Sequence, residues 1–190
     1  MLTDERSDSD LVRQCQSGDR ACFRHLYQRY QLRVRSTLYQ LCGGISIDDL
    51  VQEVFLRVWK GLPKLRQPET FSTWLYRIAW NVAADERRNF AKQRASSSSL
   101  EKAASVVDNP MTSINLATNL VNLHYQDIVE RGLAQLSFEH RTVLVLHDLE
   151  DISQKEVADI IGVPVGTVKS RLFHGRAAMR KFLEHQGVNL

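Results

Sequence analysis

Glycine and proline, the residues that most readily interrupt regular structure, number only nine and four in 190 residues, and long stretches pass without either. Such stretches favour helices over a turn-rich sheet protein, so the sequence predicts an all-α chain. An apolar content of 43% is ordinary for globular proteins and excludes wholesale disorder. No apolar run approaches the roughly 18 residues that a membrane-spanning helix needs. The opening Met1-Leu2-Thr3-Asp4-Glu5-Arg6 lacks the basic-then-apolar order of a secretory signal. A cytoplasmic location without membrane insertion is therefore expected. Cys15, Cys22 and Cys42 have no paired-ligand spacing and are odd in number, which predicts reduced, mostly buried thiols and no disulfide framework.

The formal charge of +3 conceals a strong segregation. Residues 1–95 carry 16 Lys/Arg against 11 Asp/Glu, a balance of +5, and residues 96–125 carry −1. Residues 126–165 hold three bases and eight acids, −5, whereas residues 166–181 hold Lys169, Arg171, Arg176, Arg180 and Lys181 with no acid, +5. A switch from acidic to purely basic over so short a span suggests a face made for an anionic partner, with a solvated helix face as the plainer alternative.

Between these blocks, Ala95-Ser96-Ser97-Ser98-Ser99 and the stretch Glu101 to Thr112, with Asp108-Asn109-Pro110, are small, polar and without apolar period. Flexible connectors have this composition. The chain is expected to comprise two small helical domains, residues 1–95 and 121–190, joined by a linker at 96–120.

From Leu136 onward the pattern reads helix, helix, tight turn, helix. Ser137 can cap a segment carrying Val143, Leu144 and His147, the histidine being a core or boundary residue. Ser153-Gln154-Lys155-Glu156 matches a capping box, in which serine and the glutamate three residues on satisfy each other's orphan amides. Val157, Ala158 and Ile161 follow at helical spacing, Gly162 suits a left-handed stop, and Pro164 is tolerated at the start of the next helix. In that helix Val165, Val168, Leu172, Met179 and Leu183 are expected on the inner side, and Lys169, Phe173, Arg176 and Arg180 together on another. Two helices joined by a short turn, the second basic and outward-facing, form a helix-turn-helix whose second helix enters the DNA major groove. Lys169 and Arg171 suit guanine edges or phosphates, Ser170 suits either, and Phe173 suits a thymine methyl. An ordinary helical hairpin is the alternative.

In the first half, Asp48 to Lys60 reads as a helix capped by Ser46 or Asp48, with Val51, Val54, Phe55 and Val58 as a core stripe. Asp49, Gln52, Glu53, Leu56 and Lys60 share another face, mixed acidic and apolar, which fits either protein docking or plain solvation. A loop from Gly61 to Glu69 holds Pro63 and Pro68. A long helix from about Thr70 buries Phe71, Trp74, Leu75, Ile78, Val82 and Ala83, and presents Thr73, Arg77, Trp80, Asn81, Ala84 and Arg88 on its other side, with Arg87, Lys92 and Arg94 at its basic end. Aromatics interleaved with Arg and Asn suit single-stranded nucleic acid, because bases stack on rings while guanidiniums follow the backbone. Each stacked base contributes roughly 1–3 kcal/mol, comparable to the few kcal/mol needed to extrude a base from a duplex.

Three motifs together resemble bacterial sigma factors of the extracytoplasmic-function (ECF) group: Asp49-Leu50-Val51-Gln52-Glu53-Val54-Phe55; Phe71-Ser72-Thr73-Trp74-Leu75-Tyr76-Arg77-Ile78-Ala79 followed by Asn81; and Val163-Pro164-Val165-Gly166-Thr167-Val168-Lys169-Ser170-Arg171-Leu172. The likeness spans about residues 8–185 with the motifs in family order. It implies a region 2 helical domain that binds the clamp helices of core RNA polymerase and opens the promoter −10 element, and a region 4 helix-turn-helix domain that reads the −35 element and touches the polymerase flap. The implied polymerase-binding residues are Asp49, Gln52, Glu53 and Leu56. The implied −10 surface is the loop Lys64 to Thr70, including Arg66, with Thr73, Arg77, Trp80, Asn81 and Arg88. The implied −35 readers are Thr167, Lys169, Ser170, Arg171, Phe173 and Arg176. Two departures stand out: His174-Gly175 occupies a stretch where members often carry a further base, and Trp80 is bulky beside that asparagine. An anti-sigma protein is a further implied partner.

No Gly-rich phosphate loop, metal-spaced His/Cys set or nucleophile motif appears, so neither an enzyme nor a cofactor is expected. The rival reading is a stand-alone helix-turn-helix regulator that binds duplex DNA as a dimer. It leaves the aromatic-basic helix and the acidic Asp49 face unexplained.

Overall fold

The computed structural model describes residues 6–43, 46–96 and 116–188, as backbone alone at 94–96 and 116–125. Among these residues there are eight α-helices and no strand: α1 Asp8–Gln16, α2 Arg20–Cys42, α3 Ile47–Gly61, α4 Phe71–Ser96, α5 Leu116–Gln135, α6 Phe138–Leu144, α7 Gln154–Ile161 and α8 Val165–His185. Most of the expected linker, residues 97–115, lies outside the described residues.

Local chemistry sets the helix starts. The Ser7 hydroxyl accepts from Asp10 N at the head of α1, and the Asp19 carboxylate accepts from Ala21 N at the head of α2. Each such cap stabilises a helix by about 1 kcal/mol. At α3 the expectation of a Ser46 or Asp48 side-chain cap does not hold. Ser46 occupies the cap position with a left-handed backbone, φ 52°, and makes no capping bond, while Asp48 pairs with Arg35. Asp48 and Asp49 in the first turn still favour the positive end of the helix dipole.

The helices α1–α4 bury Leu11, Leu26, Val34, Leu38, Val54, Val58, Phe71 and Leu75 completely. The Phe71 ring meets Tyr30 edge-on at 5.6 Å between centroids. Between α3 and α4 the chain makes two short 3₁₀ turns, Leu62–Lys64 and Pro68–Thr70, so the long helix begins at Phe71 rather than Thr70. Gln16 on α1 pins this connection by donating through Nε2 to the carbonyls of Leu62 (3.0 Å) and Leu65 (2.8 Å). Arg13 adds an ion pair to Glu69. Cys22 is buried, while Cys15 and Cys42 are half-buried. Burial holds both half-buried thiols protonated, raising Cys42 to about 11 and Cys15 to about 12.

The helices α5–α8 form a second bundle around Leu133, Val143, Leu146, Val157, Ile160, Val168 and Leu172. After α6 the helix widens into a π turn at Val145–Leu149, and Asp151 then adopts a left-handed φ of 57°. The α7–α8 corner follows its sequence closely. Both bonds of the Ser153/Glu156 capping box form, Gly162 stops α7 at φ 69°, and Pro164 precedes the first turn of α8. One position departs from expectation. Val165, assigned to the inner side of α8, is 37% exposed because it starts the helix beyond the reach of the α6–α7 core. The inner seam instead runs Val168, Leu172, Gly175. A Cβ on Gly175 would stand 3.2 Å from Leu144, and its absence lets α8 close onto α6.

The two bundles also touch each other, chiefly along α4 and α7. Arg87 lies over the Phe138 ring at 4.9 Å, and Tyr39 donates to Glu130 at 3.0 Å. Among the described residues no helix is long and apolar enough to cross a membrane.

Candidate nucleic-acid interface

Three surfaces gather the residues singled out by sequence. On α8, Lys169, Ser170, Phe173 and Arg176 are exposed, with Phe173 at 71%. Thr167 and Arg171 are half-buried beside them. All six lie on the helix that follows the Gly162–Pro164 turn, the geometry of a groove-reading helix. The Phe173 ring is propped by His174 at 5.3 Å, edge to face, so the histidine orients an aromatic where a base was anticipated. Arg176 is not free: its guanidinium forks onto Asp148, with N···O distances of 2.6 and 3.0 Å. That pair raises the Arg176 pKa through its hydrogen bond to Asp148. Lys169 and Arg171 are thus the less committed cations of this face.

On α4 the arrangement differs. Asn81 is exposed, Trp80 packs partly against the core, and Arg88 pairs with Asp85. Thr73 and Arg77 point toward the second bundle. Thr73 Oγ1 donates to Glu156 at 3.1 Å, and Arg77 donates to the Asp159 carbonyl. Lys64, Arg66 and Thr70 stand exposed on the short-turn connection, where Thr70 Oγ1 donates to the Gln67 carbonyl at 2.9 Å.

On α3, Asp49, Gln52 and Leu56 are exposed, Leu56 at 44%. Glu53 is half-buried and pairs with Arg57 one turn on, at 2.7 Å. Of these, Gln52 and Leu56 line an open groove of about 680 Å³ whose walls include Phe23, Tyr27 and Leu32 of α2 and Trp59 of α3. Leu32 is 72% exposed and Trp59 41%. An exposed apolar set of this size, rimmed by Asp48 and Arg35, is the kind of surface that macromolecular contacts use. A second open groove, about 910 Å³, runs along α8 past Leu172, Met179 and Leu183 to Phe173. Among the described residues no three His, Cys, Asp or Glu side chains gather in metal-binding geometry.

Comparison with known proteins agrees with this layout. Residues 26–93 match Sigma-70 region 2, and residues 126–179 match Sigma-70, region 4. The chain is 32% identical over 181 residues to the ECF RNA polymerase sigma-E factor of Escherichia coli K12, covering 94% of this chain and 95% of that one. This chain belongs to the ECF sigma factors. It is also 28% identical over 179 residues to the ECF RNA polymerase sigma factor SigW of Bacillus subtilis, covering 90% and 94% of the two chains. The fold resembles CnrH in its complex with the cytosolic domain of CnrY, with a TM-score of 0.68, 23% identity and coverage of 95% and 99%. It equally resembles the sigma factor RpoE of Bartonella quintana in complex with the anti-sigma factor NepR, at 0.68, 21%, 85% and 96%.

Two features of this ECF sigma factor escaped sequence reasoning. The α2 wall of the groove was missed because Phe23, Tyr27 and Leu32 sit off the main core stripe of a helix whose motif content is low. Their signal is the presence of large apolar residues beyond what that stripe uses. Tyr76 and Ala79 were missed as buried residues because both lie off the apolar stripe read for α4. Tyr76 is only 3% exposed, and burial, then a 2.7 Å hydrogen bond to Glu150, drives its phenol far above the usual range.

Proposed function

We propose that this sigma factor binds core RNA polymerase through the α2–α3 groove and directs promoter-specific initiation in the cytoplasm, without catalysis or cofactor of its own. In this reading residues 1–95 act as region 2, 96–120 as the connecting segment and 121–190 as region 4. Asp49, Gln52, Glu53 and Leu56 meet the polymerase clamp helices, with the apolar wall of Tyr27, Leu32 and Trp59 supplying most of the buried area. Lys64, Arg66, Thr70, Thr73, Arg77, Trp80, Asn81 and Arg88 engage the opened −10 strand. Thr167, Lys169, Ser170, Arg171, Phe173 and Arg176 read the −35 duplex, and the apolar groove along α8 receives the polymerase flap. Because the solved neighbours CnrH and RpoE are each in complex with a partner, RpoE's being named an anti-sigma factor, we assign an anti-sigma protein as a further partner.

The observation that carries this reading is the pairing of an exposed apolar-acidic groove on α3 with an exposed basic helix in a helix-turn-helix. A duplex-binding regulator has use for the second but not the first. Binding of labelled promoter duplex by the free chain, and again with core polymerase, separates the two. Weak binding alone and tight binding with polymerase supports the sigma reading, and a tight sequence-specific complex without polymerase contradicts it. Glu53→Arg is expected to weaken polymerase binding in a pull-down while leaving the helical circular dichroism spectrum unchanged.

A further inference from the structure

The connection between α3 and α4 carries Lys64, Arg66 and Thr70, three of the residues assigned to the opened −10 strand. Its own bonds are short in range. Leu65 N donates to the Leu62 carbonyl at 3.1 Å, and Thr70 donates to the Gln67 carbonyl through N at 3.0 Å and through Oγ1 at 2.9 Å. Each of these bonds closes one short turn without tying the two turns together. Polar ties come instead from α1. Gln16, the last residue of α1, donates through Nε2 to the Leu62 carbonyl at 3.0 Å and to the Leu65 carbonyl at 2.8 Å. Arg13, three residues earlier, pairs with Glu69 in the second short turn.

α1 is itself a fixed arm. Leu11 and Val12 are fully buried, Ser7 caps its first turn, and Asp8 accepts from the Tyr30 phenol and pairs with Arg29 of α2. Gln16 lies outside that anchorage, and both bonds of its amide run to the connection. Main-chain carbonyls are obligatory acceptors, so an outside donor that takes two of them fixes the backbone between. Leu62 is buried and Leu65 half-buried, whereas Lys64, Arg66 and Gln67 are exposed. Pinning the carbonyls of Leu62 and Leu65 therefore sets the backbone on both sides of Lys64 and just before Arg66, and with it the direction in which the two cations stand.

A loop already held in its bound shape binds more tightly, because the cost of ordering it is not met on association. A site whose supporting residues are loose loses selectivity as well. We propose that Gln16 and Arg13 are positioning residues for −10 recognition: from α1 they set the shape of the connection Leu62 to Thr70, and through it which bases the connection accepts. They act through the connection and not by touching DNA. This inference rests on the assignment of that connection to the −10 strand.

The test transcribes a template library, randomised over the −10 and −35 segments and barcoded in the transcribed part, with the full chain and core polymerase. Sequencing the transcripts gives the base preference at each position. Gln16→Glu keeps the length of the side chain, lacks both donors and sets a carboxylate against two carbonyl oxygens. Loss of two neutral hydrogen bonds is expected to lower preference at the −10 positions about fivefold, with preference at the −35 positions as in wild type. Unchanged −10 preference overturns the proposal, and so does an equal fall at −10 and −35, which general loosening of the fold would give. Should Gln16→Glu lose its helical circular dichroism spectrum, R13E decides. It is expected to lower −10 preference about twofold, and the charge swap R13E/E69R to restore it; no restoration overturns the proposal. K64A/R66A runs in parallel. Loss of −10 preference in that variant with none in Gln16→Glu overturns the positioning role alone, whereas intact −10 preference in K64A/R66A overturns the assignment of the connection on which the role rests. A wild-type chain that starts no transcription with core polymerase overturns the sigma-factor reading itself.

Discussion

The basic helices α4 and α8 carry similar chemistry, arginines beside aromatics, yet they meet their surroundings differently. On α8 the ring of Phe173 stands in solvent and Lys169 is exposed, so that face is ready for a partner. On α4 the ring of Tyr76 is covered, and Thr73 and Arg77 are engaged by α7. The cause lies in neither helix alone. It lies in Glu150, Glu156 and the Asp159 carbonyl, which belong to the bundle of α8 and meet Tyr76, Thr73 and Arg77 of α4. The difference teaches that a basic, aromatic helix reports the chemistry of its partner, whereas access to that partner is set by what packs against it.

Two phenylalanines sharpen this contrast most. Phe71 is fully buried at the root of α4, and Phe71→Ala is expected to cost about 3–5 kcal/mol in urea denaturation. Phe173→Ala should change stability by no more than about 0.5 kcal/mol and reduce DNA binding instead. A large stability loss from Phe173→Ala breaks the picture of an open α8 face.

Next in size, Arg171→Ala should cost roughly 1–3 kcal/mol of discrimination between promoter and mismatched −35 duplexes when measured with polymerase present. A uniform loss over all sequences would mean that Arg171 meets phosphate alone.

The capping box gives a smaller effect. Ser153→Ala should destabilise the helix-turn-helix by about 1 kcal/mol. The Ser153 hydroxyl, more than Thr73, holds the Glu156 carboxyl below its usual range. The contribution of Glu156 is therefore present above the usual carboxylate pKa and lost as pH falls through the lowered one. Acid titration of wild type against Ser153→Ala should show the two stabilities converging as pH drops, and a constant gap would contradict the assignment.

Smallest is Asp148→Asn, which releases the Arg176 fork. A half-exposed pair of this kind contributes about 0.2–1 kcal/mol. Stability should fall by that little, while the freed Arg176 tightens DNA binding in a salt-dependent way. Unchanged DNA affinity would show that Arg176 is structural.

Much of this was legible in sequence for a physical reason: the signals were local. The Ser153 box, the Gly162 stop and the Pro164 turn each act within a few residues, and all three form as read. The stripe Val51, Val54, Phe55, Val58 is buried because helical periodicity alone decides it. Reading failed where the answer depended on distant chain. Val165 obeys the period of α8 yet stays 37% exposed at the helix start, and Tyr76 lies off the stripe yet is buried. Ser46 has a capping residue's chemistry but a left-handed backbone, and it makes no capping bond. The resemblance to sigma factors supplied the roles expected of Thr73 and Arg77. Their engagement by α7 was invisible, because nothing local announces an ion or hydrogen-bond partner about eighty residues away.

The contrast between the two helices can be measured directly by hydroxyl-radical footprinting of the free wild-type chain, read residue by residue by mass spectrometry. Heavy oxidation of Phe173 and protection of Tyr76 are expected, with Tyr76 becoming reactive in E150Q/E156Q. Oxidation of Tyr76 in the wild-type chain at a rate comparable to Phe173 would contradict it.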